Sequence, residues 1–114
     1  KIPTVELLTD GELEAFDISL DNAQLLADSG PWGQGFEEPI FYGNFEIVEQ
    51  KVVGEKHLKC RLKLMGDTHI HDAIAFFQAP LDTKQVTVAY KLSINTWRGA
   101  SNLQLMVEQI SASE

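Results

Sequence analysis

The sequence predicts a mainly β domain: a five-stranded barrel preceded by a short N-terminal strand and one α-helix. Three observations predict it. From residue 39 onward, apolar and polar residues alternate with a period of two, the pattern of strands with one buried face. Turn residues cut that pattern into five runs, as a small closed or half-closed barrel requires. Ahead of the barrel, one helical repeat lies between a serine and a Gly-Pro pair.

Residues 2–8 (IPTVELL) read as a short strand, with Pro3 pointing to an edge or a strand start. Asp10-Gly11 is a turn signal. Ser19 is a good N-cap, because its oxygen accepts from a free amide of the first turn. Leu20, Ala23, Leu26 and Ala27 then share one helix face, and Asp21 suits the positive end of the helix dipole. Gly30 and Pro31 stop the helix. Residues 30–39 are a loop. The division is therefore 1–38, a strand, helix and loop packing on the barrel, and 39–114, the barrel itself.

The first barrel strand spans about residues 40–53, with Phe41, Phe45 and Ile47 inward and Gly43 marking a bend or bulge. The second, 57–65, alternates most cleanly. Leu58, Cys60, Leu62 and Leu64 face one way; His57, Lys59, Arg61, Lys63 and Met65 face the other. Gly66-Asp67 turns the chain. The third strand, about 69–78, has Ile70, Ile74 and Phe76 on one side and His69, His71, Ala73, Ala75 and Phe77 on the other. The fourth, 86–96, turns Val86, Val88, Tyr90, Leu92 and Ile94 inward and Ala89, Lys91, Asn95 and Trp97 outward. The fifth, 101–110, buries Leu103, Leu105 and Val107 and exposes Gln104, Met106 and Glu108. An OB-fold is the leading five-stranded candidate and an SH3-like barrel the alternative; periodicity alone leaves both open.

A chain of 114 residues, 44% of them hydrophobic, suits one domain with one core. No apolar run approaches the ~20 residues of a membrane span. It opens on Lys1 with no basic and apolar leader behind it, so it reads as a segment of a longer protein. The one cysteine, Cys60, precludes an internal disulfide and fits a reducing cytoplasm. A net charge of −8 speaks against nucleic acid at first sight. The distribution speaks otherwise. Residues 1–50 hold one basic residue and eleven acids; residues 51–114 hold eight basic residues and six acids. The acidity belongs to one half, and the other half is free to carry a basic face.

Catalytic constellations are weak. His69 and His71 share a strand face with Asp72 beside them, but a metal site needs three or four converging ligands. Two exposed strand histidines are the plainer reading. Cys60 sits in a row of leucines, an inert core thiol. Carboxylates in residues 6–38 fall on a polar helix face and in loops, where solvation explains them. Gly33-Gln34-Gly35 lacks the preceding strand and following Lys-Ser/Thr of a phosphate loop.

The basic row is the stronger signal. Lys59, Arg61 and Lys63 project from one strand face at intervals of about 7 Å, twice the rise per residue. That is close to the phosphate repeat of a single strand. An ordinary solvated face is the competing account. Trp97 and Arg98 add weight at the tip of the hairpin between the fourth and fifth strands, where an aromatic face stacks a base of any identity and arginine attracts phosphate. In an OB barrel that loop grips oligonucleotides. His57, Lys91, Asn95 and Gln104 complete the candidate nucleic-acid-binding set. No catalytic or metal-binding residue is assigned.

Four segments in order, residues 30–41 (GPWGQGFEEPIF), 53–59 (VGEKHLK), 72–76 (DAIAF) and 90–99 (YKLSINTWRG) followed by 103–105 (LQL), resemble the C-terminal domain of the RecJ family of bacterial single-stranded-DNA exonucleases. The resemblance covers nearly the whole chain. It implies an OB-fold, and a parent enzyme that degrades single-stranded DNA from its 5′ end in repair and recombination. Divalent metal, Mg or Mn, held by Asp and His of two earlier domains would serve that chemistry; this segment carries no cofactor. His69 to Asp72 does not match those ligands. Lys59, Arg61 and the hairpin from Asn95 to Gly99 match the family's DNA-facing surface. Phe36 stands where many relatives have Asn, so its loop receives no specific contact. The implied partners are single-stranded DNA, the catalytic domains of the same chain, single-stranded-DNA-binding protein and a helicase, in the cytoplasm, with no membrane. The alternative function is a protein-interaction module that docks such a partner.

Overall fold

The computed structural model describes residues 11–29, 38–54 and 56–113. The strand expected over 2–8, the Gly30-Pro31 stop and most of the 30–39 loop lie outside the described residues.

β1 (Gly11–Glu12) is a two-residue strand. A 3-10 turn (Ala15–Asp17) leads to α1 (Leu20–Ser29). Ser19 caps α1 as its sequence position predicts: Asn22 N–H donates to Ser19 Oγ at 3.2 Å. The buried face differs from the expected one. Ala23 and Leu26 join the core, whereas Leu20 and Ala27 are exposed and Asn22 is buried. A hydrogen bond holds Asn22 there, its Nδ2 donating to the Asp17 carbonyl at 2.8 Å.

The barrel strands are β2 (Phe41–Val53), β3 (His57–Leu64), β4 (Ile70–Ala75), β5 (Gln85–Trp97) and β6 (Ala100–Ala112). β2 closes the barrel because it is long enough to pair twice. Residues 45–53 run antiparallel to β3, and residues 41–46 run antiparallel to β5. β4 joins β6 in parallel, and β5 and β6 form a long hairpin. β1 lies parallel to the start of β2. This shared first strand and the parallel β4–β6 pair make the architecture an OB-fold; the SH3-like alternative is set aside.

The bulge in β2 does not fall at Gly43. The register shifts between Ile47 and Glu49 instead. Gly43 has a packing reason: a Cβ there would lie 3.0 Å from Phe45 Cε1 and 3.3 Å from Leu64 Cδ1. Inward-facing Phe41, Phe45, Leu58, Cys60, Leu62, Val86, Val88, Tyr90, Leu92 and Leu105 are fully buried or nearly so. The Tyr90 ring packs edge-on to Phe45 with centroids 5.4 Å apart. Ala89, expected outward, is buried; the β5–β6 register shifts beside it, and α1 packs on β5.

β4 is shorter than the 69–78 run and is turned the other way. Ala73 and Ala75 are buried and His71 is half-buried, whereas Ile70 and Phe76 are exposed. The reason is volume. Phe41, Phe45 and Tyr90 already fill the interior, and small side chains from β4 complete it. His71 is therefore not the exposed histidine expected.

Candidate nucleic-acid interface

The register assembles the expected basic residues onto one outer sheet face. Arg61 pairs with Asp72, Asp72 with Gln104, and Gln104 with Ser93, across β3, β4, β6 and β5. One step along lies the row Lys59, Ile74, Met106, Lys91. In the opposite direction Lys63 pairs with Ile70, and Asn95 pairs with Asn102. Alternation keeps all of these side chains on the same side. The β5–β6 hairpin continues past Asn95 to its tip. Trp97 pairs with Ala100, and Arg98 and Gly99 form the two-residue turn with φ of 52° and 80°. Two positive φ values match the type I′ turn that suits strand twist.

Trp97 is 66% exposed, and the Arg98 guanidinium lies over its ring, 5.4 Å from the centroid. One face of the indole carries a cation, which suits stacking of a base beside a phosphate.

The charges are not equally free. Lys63 Nζ is 3.7 Å from Glu46 Oε1, and Arg61 Nε is 3.8 Å from Asp72 Oδ1. Lys91 lies between Glu38 at 3.9 Å and Glu108 at 4.0 Å. These distances fall at the loose end of ion pairing, and such pairs hold weakly at a wet surface. Lys59 is different. Its cross-strand partner is Lys51, and neither reaches a carboxylate among the described residues. Like charges placed opposite each other destabilise a strand pair. An anion between them relieves that repulsion. Both lysines border a shallow groove of about 350 Å³ with Glu49, Val53, Arg61 and Asp72.

His57 is the member of the expected set with the most committed contacts. Its Nδ1 accepts from the Phe77 N–H at 3.1 Å, and its ring meets Phe76 and Phe77 edge-on at 5.0 and 4.9 Å. Sequence reasoning did not single out Lys51, Asp72, Phe76 or Phe77 for this surface. Lys51 was legible as a charge opposite the basic row; the other three needed the orientation of β4.

The other candidate chemistries stay apart. His69 Nδ1 is 3.3 Å from Asp67 Oδ1 and points to solvent, while His71 Nε2 is buried without a partner. Among the described residues no group of three or more His, Cys, Asp or Glu is placed to hold a metal. Burial pushes the Cys60 thiol up to about 11, so it is protonated at neutral pH. Among the described residues no helix is long and apolar enough to cross a membrane.

Comparison with known proteins bears on the family and the fold. The family model described as the RecJ OB domain matches residues 9–109. The single-stranded-DNA-specific exonuclease RecJ of Salmonella typhimurium is 42% identical over 113 residues, covering 92% of this chain and 19% of that protein. The Escherichia coli protein of the same name is 41% identical over 113 residues, with the same coverage of both chains. Among solved structures, RecJ of Thermus thermophilus in complex with Mn2+ aligns with a TM-score of 0.69 and 27% identity, over 92% of this chain and 15% of that one. Its Mg2+ complex aligns with a TM-score of 0.68 at 24% identity, over 92% and 16%. The chain thus spans about a fifth of the length of the curated relatives it matches.

Proposed function

The chain belongs to the RecJ OB-domain family, and on that premise we propose that it holds single-stranded DNA for a RecJ-type 5′–3′ exonuclease of which it is one module. The observation that carries the reading is the single outer face shared by Lys59, Arg61, Gln104 and the Trp97–Arg98 hairpin. Cations on one strand attract the backbone, and an exposed indole stacks a base. Neither interaction reads base edges, so binding is sequence-tolerant and salt-sensitive. Single strands are selected because only they offer an unstacked base to Trp97.

Cleavage belongs to the rest of the parent protein. The relatives are named as single-stranded-DNA-specific exonucleases, and the Thermus neighbours are Mg2+ and Mn2+ complexes. The described residues here assemble no donor set for such an ion. We place the metal and the hydrolytic step in the catalytic domains of the same chain, and the parent in cytoplasmic DNA repair and recombination. Tethering raises the effective concentration of this module at the strand, so modest intrinsic affinity suffices.

The test is an equilibrium titration of this chain with a single-stranded oligonucleotide at several salt concentrations, alongside the triple variant Lys59→Ala, Arg61→Ala, Arg98→Ala. The variant is expected to bind more weakly and to lose about 0.7 from the log–log salt slope for each phosphate contact removed. Equal affinity and slope in the two proteins would overturn the assignment of this face. A parallel titration with an acidic peptide covers the rival function, docking of a protein tail; binding of the peptide alone would make that the module's role.

A further inference from the structure

Beyond Trp97, we propose that Phe76 and Phe77, braced by His57, form a second base-stacking subsite at the opposite end of the same face; this rests on the single-stranded-DNA reading above. Four observations carry it. Phe77 is 78% exposed and holds a left-handed backbone with φ of 56°, a conformation that bulky residues rarely adopt. A strained, solvent-facing aromatic is held there by specific contacts. The Phe77 N–H donates to His57 Nδ1 at 3.1 Å, and the His57 ring meets each phenylalanine ring edge-on at about 5 Å. The rings are therefore presented in a fixed orientation before any ligand arrives, which lowers the entropic cost of binding one.

Position supplies the third observation. His57 lies two residues before Lys59 on the same face of β3, one step of about 7 Å beyond that lysine. Trp97 lies beyond the other end. Arg61 is level with Ser93 through the register, His57 is four residues below Arg61, and Trp97 is four residues above Ser93. With three strand spacings between β3 and β5, the two aromatic sites are about 30 Å apart. An extended strand of about five nucleotides spans that distance, inside the site size usual for one OB barrel. Fourth, Phe77 borders a groove of about 380 Å³ with Val52, Lys56 and Pro80, an apolar wall with a cation at its rim. A base with its phosphate has that character. An apolar protein surface would have to strip water from Lys56 to cover the same ground.

The expected strand path thus enters at one aromatic site, crosses Arg61 and Lys59, and leaves at the other. Phe77→Gly removes the ring while keeping a residue that accepts the left-handed backbone. In anisotropy titrations of this chain with a labelled oligothymidylate of about ten nucleotides, Phe77→Gly should weaken binding at least fivefold, roughly the low end for one lost base stack. The salt slope should stay unchanged, because no charge is removed. Phe77→Tyr should restore affinity. In the unaltered protein, an oligonucleotide containing 5-iodouracil should photocrosslink to the peptide that carries Phe76 and Phe77. This second readout stands even if Phe77→Gly fails to fold. If Phe77→Gly binds like the unaltered chain, and no crosslink forms, while the Lys59, Arg61 and Arg98 variant loses affinity, the subsite falls and the DNA-holding face stands. If the unaltered chain retains no oligonucleotide, both readings fall together.

Discussion

Arg61 and Asp72 face each other across β3 and β4, guanidinium Nε to carboxylate Oδ1 at 3.8 Å, each side chain about half exposed. Asp72 is the one acid in the row that runs from Arg61 through Gln104 to Ser93. It therefore lowers the positive potential where a phosphate would sit. The pair is too open to contribute much to folding.

Asp72→Asn should leave the melting temperature nearly unchanged and tighten single-stranded oligonucleotide binding by about two- to fivefold at low salt. The gain should shrink as ionic strength rises past about 0.1 M, where the screening length falls to about 10 Å. Paired titrations at low and high salt check it. Weaker binding in Asp72→Asn would show that Asp72 orients Arg61 more than it competes for it.

Gly43 predicts a packing defect. An added Cβ meets the Phe45 ring at 3.0 Å and the Leu64 methyl at 3.3 Å, and Phe45 is itself fully buried against Tyr90. Phe45 is sealed in the core and has little room to retreat, whereas Leu64 is only partly buried and borders a groove, so the Phe45 contact sets the cost. Gly43→Ala should destabilise the fold by about 1–3 kcal/mol, read as a lower urea midpoint with an unchanged m-value.

Gln50 predicts a defect of another kind. Its Nε2 donates to the Leu81 carbonyl and its Oε1 accepts from the Leu81 N–H, both at 2.9 Å. One side chain thus takes the part of a neighbouring strand and holds the linker between β4 and β5 against β2. Gln50→Ala leaves both Leu81 groups without their partner and should cost about 1–2 kcal/mol. Faster hydrogen exchange at the Leu81 amide, with the amides of β3 unaffected, would locate the loss in the linker.

How much of this was legible depended on how strictly each strand alternates. In β3, Leu58, Cys60 and Leu62 against Lys59 and Arg61 gave both the core and the basic row without ambiguity. In β4 the larger residues, Ile70 and Phe76, face out and the smaller, Ala73 and Ala75, face in. Hydrophobicity read residue by residue orders such a strand backwards, because what fits inside depends on how much of the barrel other strands have filled. The reversal carried the consequences for the site. It placed His71 inward, put Phe76 on the outer face, and aligned Asp72 with Arg61. The Gln50 clasp left no periodic trace at all, since it joins residues 31 apart through one side chain. The hairpin tip was legible from Trp-Arg-Gly alone, but not that Arg98 would itself take a positive φ.

His71 gives the last prediction, and its sign follows from the same inward turn of β4. Burial holds its pKa below the usual 6.5, and nearby His69 adds to the depression, while Asp67 and Asp72 oppose it. Its Nε2 is sealed from water without a hydrogen-bond partner, so a proton there would bring a charge into a site where lost solvation outweighs the attraction of Asp67 and Asp72. The unfolded chain has no such restraint and takes up the proton near pH 6.5. The stability due to a neutral His71 is therefore present above about pH 6.5 and lost as pH falls through the depressed folded value. His71→Leu removes both the titration and the unpartnered nitrogen. Denaturation midpoints measured from about pH 7.5 down to pH 5 should fall for the unaltered chain and fall less steeply for His71→Leu. Parallel curves for the two proteins would mean that His71 takes up its proton in the folded state as easily as in the unfolded one.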